Sequence, residues 1–538
     1  MIRNLSLRNS VGFTIITIFA FLSPPGIFRY LKSFIVGGDP LDQAIRNIIF
    51  ITAFWFMGWC LLIAGSLSTR FAKWIIFGMI SISFTVFYTY QVSMNQTLNY
   101  DGWLVLWNAR AFISDAFNEY GHNFVYSIPW IVFLYVGFLL VNTQFKFAIP
   151  IIILSFFATT TSFLLVIFLK GGRTTEYFPP TTSLYGLFAA QFFDSNTSKT
   201  ILYETTDHPK RRPFATHIIL IIDESVRYDF FKNYVKPKLN ISQSKWQPYD
   251  FGLTTAMSNC SASTNIMIRR GAQAISINDD LYSHPLIWSY AKNANFKTWL
   301  IDAQRHGIGH NHFNSREIKM IDHIPTTNWI NDSDIIEDLN YLKNNQNTFT
   351  FLIKRGAHFP YTKKFPQDYS LQIDWKHQPA YIRDNIMRQD YIKAIDYQTA
   401  VFLDKLLTLQ ISQPTIILYT SDHGQNIQDQ EASTHCNVSR APSEDEAAVP
   451  FIIFTNFHSP IFFKASTNYQ NQMSHFDIMP WIYFMLGYKS DQLPKPVSTS
   501  KFLYGTPSPH FGQPVKWQTF DRDKYLQILQ NRWQSHSP

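Results

Sequence analysis

Two stretches, HIILIIDESVRYD at 217–229 and TIILYTSDHG at 415–424, carry the decisive pattern. Each opens as a short, uninterrupted run of β-branched and aliphatic residues, and each runs straight into acidic, hydroxyl and imidazole side chains. A run of this length bounded by polar residues reads as a strand buried on both faces, the kind found in parallel sheets. Three more runs share the texture: TWLI at 298–301, TFTFLI at 348–353 and PFIIFT at 450–455. The stretch 391–407 has the spacing of an amphipathic helix. Buried strands alternating with helices predict an α/β domain with a mostly parallel central sheet, over 215–538. About 320 residues suffice for one large core.

Ahead of this region the composition changes. Stretches 47–68, 74–92, 124–142 and 147–169 are long and apolar enough to cross a hydrocarbon layer of about 30 Å. A fifth, near 11–30, meets Pro24 and Pro25 and reads as a kinked first span or a signal-like segment; the retained span is preferred. The expectation is a five-helix transmembrane domain over 1–170, with an interfacial helix near 103–118. A linker over 171–214 holds the basic run Lys210, Arg211 and Arg212, read as a solvated face. Arg70 and Lys73 in a tight loop place that loop inside and everything after residue 170 outside.

Whole-chain numbers agree with a membrane part joined to a polar part. Of 538 residues 16% are charged and 17% aromatic, with 48 Phe, while mean hydropathy is only −0.08. The composition excludes a disordered chain, and three Cys exclude a disulfide-built scaffold. A net charge of +8 suits an anionic lipid surface as neighbour and gives no reason to invoke nucleic acid.

Ligands of open α/β sheets bind at the carboxyl ends of the strands. Asp223 and Glu224 end one run, and Ser421, Asp422, His423 and Gly424 end another. Oxygen and imidazole donors together suit zinc, and manganese less well. An acidic residue after a strand is ordinarily only a helix cap, so the joint pattern carries the argument. TTAMSNCSAST at 254–264 enters an apolar run as a helix amino terminus would, where an anion such as phosphate is stabilised. The loop His306, His310 and His312 reads first as a polar surface loop, with a second metal or acceptor site as the alternative.

DESVRYD (223–229), CSASTN (260–265), GAHFPY (356–361), SDHG (421–424) and THC (434–436) resemble, in order, the motifs of the alkaline phosphatase–sulfatase superfamily. Within it they look most like membrane phosphoethanolamine transferases, as does YFPP at 177–180. The resemblance covers the whole chain. It implies Glu224, Asp422 and His423 as metal ligands, and Thr264, four residues after Cys260, as nucleophile and further metal ligand. His358 and His435 would hold the transferred phosphate or a second metal. It implies one or two Zn2+ and a multi-pass protein of the bacterial inner membrane with a periplasmic catalytic domain. Phosphoethanolamine would pass from phosphatidylethanolamine through a phosphothreonine intermediate to lipopolysaccharide, at lipid A or core, or to another envelope glycan.

Several readings stay open beside it. A glycerol-phosphate transferase has the same layout. A sulfatase or phosphodiesterase belongs to the same superfamily, although Thr264 stands where a sulfatase motif needs Arg. A non-catalytic membrane-anchored scaffold predicts missing ligands, yet every ligand position is filled. Cys260 and Cys436 flank the implied site and are open to pairing; the sequence alone does not establish the bond.

Overall fold

The computed structural model describes all residues except 1–6, 25, 29, 32–40, 95, 109–112, 171, 197–202, 274–280, 282, 305–309, 328, 430–433, 437–441, 489–493, 498–500, 505–515 and 535–538. The chain divides into two compact units, one of residues 1–198 with 508–514 and one of 199–507 with 515–538.

The first unit is helical. Among the described residues, four helices are long and apolar enough to cross a membrane: Ala44–Ser66, Arg70–Met94, Gly121–Leu140 and Ala148–Leu169. They coincide with four of the five predicted spans. The fifth, Leu7–Leu22, is a shorter apolar helix of 16 residues, ending just before the Pro24–Pro25 pair. The helices pack through Phe19, Phe84, Leu134 and Phe138 in one cluster and Phe54, Phe163 and Phe178 in another. In the 103–118 region a helix Tyr100–Asn108 buries Trp103 and Leu104 in the second cluster, and a helix Ile113–Tyr120 follows. The stretch expected as linker is largely helical: Pro180 opens a helix Pro180–Asn196, where its missing N–H costs nothing. Phe178 just before it stacks on Phe54 with ring centroids 4.1 Å apart.

The second unit is built on six strands: β1 (His217–Asp223), β2 (Gln247–Thr255), β3 (Lys297–Asp302), β4 (Thr348–Ile353), β5 (Thr415–Ser421) and β6 (Ala448–Thr455). The sheet order is β2-β6-β5-β1-β4-β3. β5, β1, β4 and β3 run parallel in register, whereas β6 is antiparallel to both neighbours. The sheet is therefore mostly parallel, with β1 in its middle, and every residue of β1 and β5 is buried. Alternate side chains feed two cores. Ile218, Leu220 and Ile222 pack on one face, Ile219 and Ile221 on the other. The predicted helix at 391–407 is the later part of a helical run over 386–407 that contains one π turn, Asp396–Ala400. In the basic run, Arg211 is not simply solvated: its guanidinium lies over Phe214 and Phe484 and donates to the Phe484 carbonyl at 2.9 Å.

Candidate metal and group-transfer site

β1 and β5 are neighbours in register, with Asp223 opposite Ser421. The residues that follow each strand therefore emerge side by side. Glu224, Asp422 and His423 come together, buried, each offering one ligand atom within 4.8 Å of the others. Gly424 lets the main chain of Asp445 pass close behind the site, since a Cβ there would lie 2.1 Å from the Asp445 carbonyl oxygen.

The hydrogen bonds leave the right atoms facing inward. Asp422 Oδ1 accepts from the Ser225 and His423 main-chain N–H groups at 2.9 and 2.7 Å. Its Oδ2 is buried and makes no hydrogen bond. His423 Nδ1 lies 2.7 Å from the Gly424 carbonyl and donates to it, which leaves Nε2 with its lone pair toward the acids, 3.5 Å from Glu224 Oε1 and 3.6 Å from Asp422 Oδ2. Glu224 Oε1 accepts from Ser225 Oγ at 2.6 Å, and Oε2 from Gln304 Nε2 at 2.9 Å.

The electrostatics point the same way. Burial, and then the Glu224 charge, push the Asp422 carboxyl well above the carboxylate range. Burial also opposes ionisation of Glu224, yet the nearby His423 and His358 outweigh it and hold that carboxyl below the ordinary range. Two carboxyls this close, one with an orphaned buried oxygen, ionise together only with a cation between them; otherwise one keeps its proton. Burial lowers His423 and His358, and lowers His435 further with help from the other two rings, so all three imidazoles are held toward the neutral form that can coordinate. Two acids and an imidazole fit a divalent ion of the zinc type with a fourth position open.

The hydroxyl that reaches this position is Ser261, not Thr264. Ser261 is the first residue of the helix Ser261–Arg270, capped by Cys260. Its Oγ is 3.1 Å from Glu224 Oε2 and 3.1 Å from His423 Nε2. Thr264 lies nearly one turn further in, wholly buried, and its Oγ1 donates to the Ser258 carbonyl at 3.3 Å. The helix begins three residues before the threonine, so the hydroxyl of its first residue faces the cluster and that of its fourth turns away. A hydroxyl immediately after the N-cap was the available signal.

His435 stacks on His423 with ring centroids 4.6 Å apart and meets His358 edge-on at 5.1 Å. It is held there by its neighbour. Cys436 is disulfide-bonded to Cys260 with Cα atoms 4.6 Å apart, and the Cys436 N–H donates to the Asn259 carbonyl at 2.9 Å. The same crosslink thus ties the helix start bearing Ser261 to the segment bearing His435. Of the histidine loop, His306 and the side chain of His310 lie outside the described residues, and His312 sits in a short helical turn.

Fold and site together define a class: a mostly parallel α/β sheet whose central strand ends converge on an acid–imidazole–hydroxyl cluster, preceded by an apolar helical region. The family described as Sulfatase matches residues 216–488, a little over half of the chain. The chain belongs to the sulfatase family. The solved structures it resembles include phosphoethanolamine transferases. The integral membrane protein lipooligosaccharide phosphoethanolamine transferase A (EptA) from Neisseria meningitidis is 13% identical, with 90% of this chain and 96% of that one covered at a TM-score of 0.59. The carboxy-terminal periplasmic domain of EptC from Escherichia coli is 15% identical, covering 60% of this chain and 97% of its own at 0.45. Its complex with Zn is 14% identical, covering 62% and 100% at 0.45. No curated protein matches.

Proposed function

We propose that this chain is a membrane-anchored phosphoethanolamine transferase of the bacterial inner membrane, with its α/β unit in the periplasm and with Ser261 as nucleophile. The observation that carries the reading is the Ser261 hydroxyl, 3.1 Å from both a carboxylate and an imidazole of the cluster. Likeness over nearly the full length to an integral membrane phosphoethanolamine transferase and four helices long enough to span a bilayer support the setting.

Glu224, Asp422, His423 and Ser261 would hold a zinc ion, which when bound lowers the pKa of the serine hydroxyl and offsets charge on the phosphoryl group. Ser261 Oγ attacks the phosphorus of phosphatidylethanolamine in line with the bond to diacylglycerol. The Oγ–P bond forms and the P–O bond to diacylglycerol breaks, so that diacylglycerol leaves with a proton. An acceptor hydroxyl or phosphate oxygen on lipopolysaccharide or another envelope glycan then attacks the same phosphorus and frees Ser261. His358 and His435, neutral and adjacent, bind the phosphoryl oxygens and pass protons to the leaving oxygen and from the entering one. Thr264 in this scheme braces the helix start through Ser258.

Vesicles holding the full chain and headgroup-labelled phosphatidylethanolamine or phosphatidylglycerol test the reading. Label retained on the protein from phosphatidylethanolamine alone is expected. Label from phosphatidylglycerol alone, or sulfate ester cleavage without label, overturns it.

A further inference from the structure

Asp223 sits beside Glu224 and has no place in the cluster. Its carboxylate is nevertheless wholly enclosed. Oδ2 lies 2.5 Å from Lys354 Nζ and accepts from Thr399 Oγ1 at 2.9 Å and Tyr419 OH at 2.8 Å. Lys354 follows β4, and neither side chain reaches solvent. A third buried charge, Asp332, lies 3.6 Å from the same ammonium. Burial raises the Asp332 carboxyl above its ordinary range.

Both carboxylates of this trio also hold main chain next to the site. Asp223 Oδ1 accepts the Glu224 N–H at 2.9 Å, and its carbonyl accepts the Asp422 N–H at 2.9 Å. Asp332 accepts the Arg355 and Gly356 N–H groups at 2.9 and 2.8 Å. Ala357 N–H donates to the Glu224 carbonyl at 3.0 Å, and Gln304 Nε2 joins Glu224 Oε2 to the Lys354 carbonyl at 2.9 and 2.6 Å. Gly356 has φ +48°, and a Cβ there would lie 2.5 Å from the Glu224 carbonyl oxygen. The loop that delivers His358 is thereby clamped onto the residue pair that delivers Glu224.

Three buried charges are a costly way to fill space, since apolar replacements of the same volume are commonly as stable. Their arrangement has another use. We propose that Lys354, held between Asp223 and Asp332, is a positioning residue: it locks the β1 and β4 strand ends together and so sets Glu224 and His358 in the geometry for phosphoryl transfer. The proposal rests on the transferase reading for its kinetic consequence, while its structural consequence stands alone.

The test is the full-length double variant Lys354→Met/Asp223→Asn, which removes both charges of the close pair. Expected are a melting temperature near that of the parent, a kcat about 10–100-fold lower and a KM for phosphatidylethanolamine within about twofold, the pattern of a lost outer-shell support. Its crystal structure is expected to show the 354–358 loop and the Glu224 carboxylate displaced, a result that can be read even where the parent transfers nothing. A kcat within about twofold of an active parent, or strand ends superimposing on those of the parent, overturns the proposal. Should the double variant not fold, Lys354→Arg keeps the charge and changes the shape. A kcat loss at constant KM then supports the proposal, and an unchanged kcat overturns it.

Discussion

The two units use apolar side chains in opposite ways. In the α/β unit the strand residues of β1 and β5 turn both faces inward, and none is exposed. In the helical unit large apolar groups remain outside: Leu169 is 79% exposed, Leu154 70% and Phe157 66%. Water-soluble proteins rarely leave such patches. The helical unit therefore satisfies its backbone internally and leaves its side chains to a solvent that is not water. The α/β unit uses the same residue types to shield strand ends where charge can be concentrated.

Four expected outcomes test that contrast, beginning with the site the buried sheet creates. Ser261→Ala should reduce headgroup transfer by at least about 10³-fold while leaving the protein in the membrane fraction, measured by labelled-lipid turnover. A smaller loss would move the nucleophile elsewhere. Leu418→Ala, in the middle of β5, should cost about 2–5 kcal/mol on denaturant unfolding of the α/β unit. Leu154→Lys should cost about 2.5–3.5 kcal/mol in a membrane-insertion assay if that helix faces lipid. Phe463→Lys, at a side chain 62% exposed but in the α/β unit, should change stability by less than about 0.5 kcal/mol. Equal effects of the two lysines would erase the distinction between the units.

A further expected outcome is one of pH. Burial, and then the nearby His423, push His475 down to about 3 from an ordinary 6.5. The unfolded chain takes up that proton near 6.5 and the folded chain only near 3. Between these values the unfolded state binds more protons, so stability falls as pH falls. From pH 7 to 5 the loss from this one group is about 2 kcal/mol, to be read from urea midpoints. His475→Gln should flatten that slope.

Much of this was legible from residues alone. Four of the five predicted strands lie within a residue of their observed bounds, because a continuous β-branched run has clear edges. β2 was not legible: QPYDFGLTT has no apolar run, and it sits at the sheet edge with its outer residues exposed. The reversed direction of β6 was invisible too, since periodicity carries no polarity. Glu224, Asp422 and His423 could be paired because two strands ended in donor residues, and register did the rest. The hydroxyl was harder. Three residues along a helix is just under one turn, so an uncertain helix start was enough to exchange Ser261 for Thr264. Lys354 and Asp332 gave no signal, because they are far apart along the chain and only the fold brings them together.

The account stands on which oxygen carries the transferred group. Full-length protein incubated with phosphatidylethanolamine, quenched in acid and fragmented in a mass spectrometer reads it directly. Phosphoethanolamine on Ser261, and no adduct in the Ser261→Ala variant, is the predicted result. The group on Thr264, or no protein adduct while product accumulates, would contradict it.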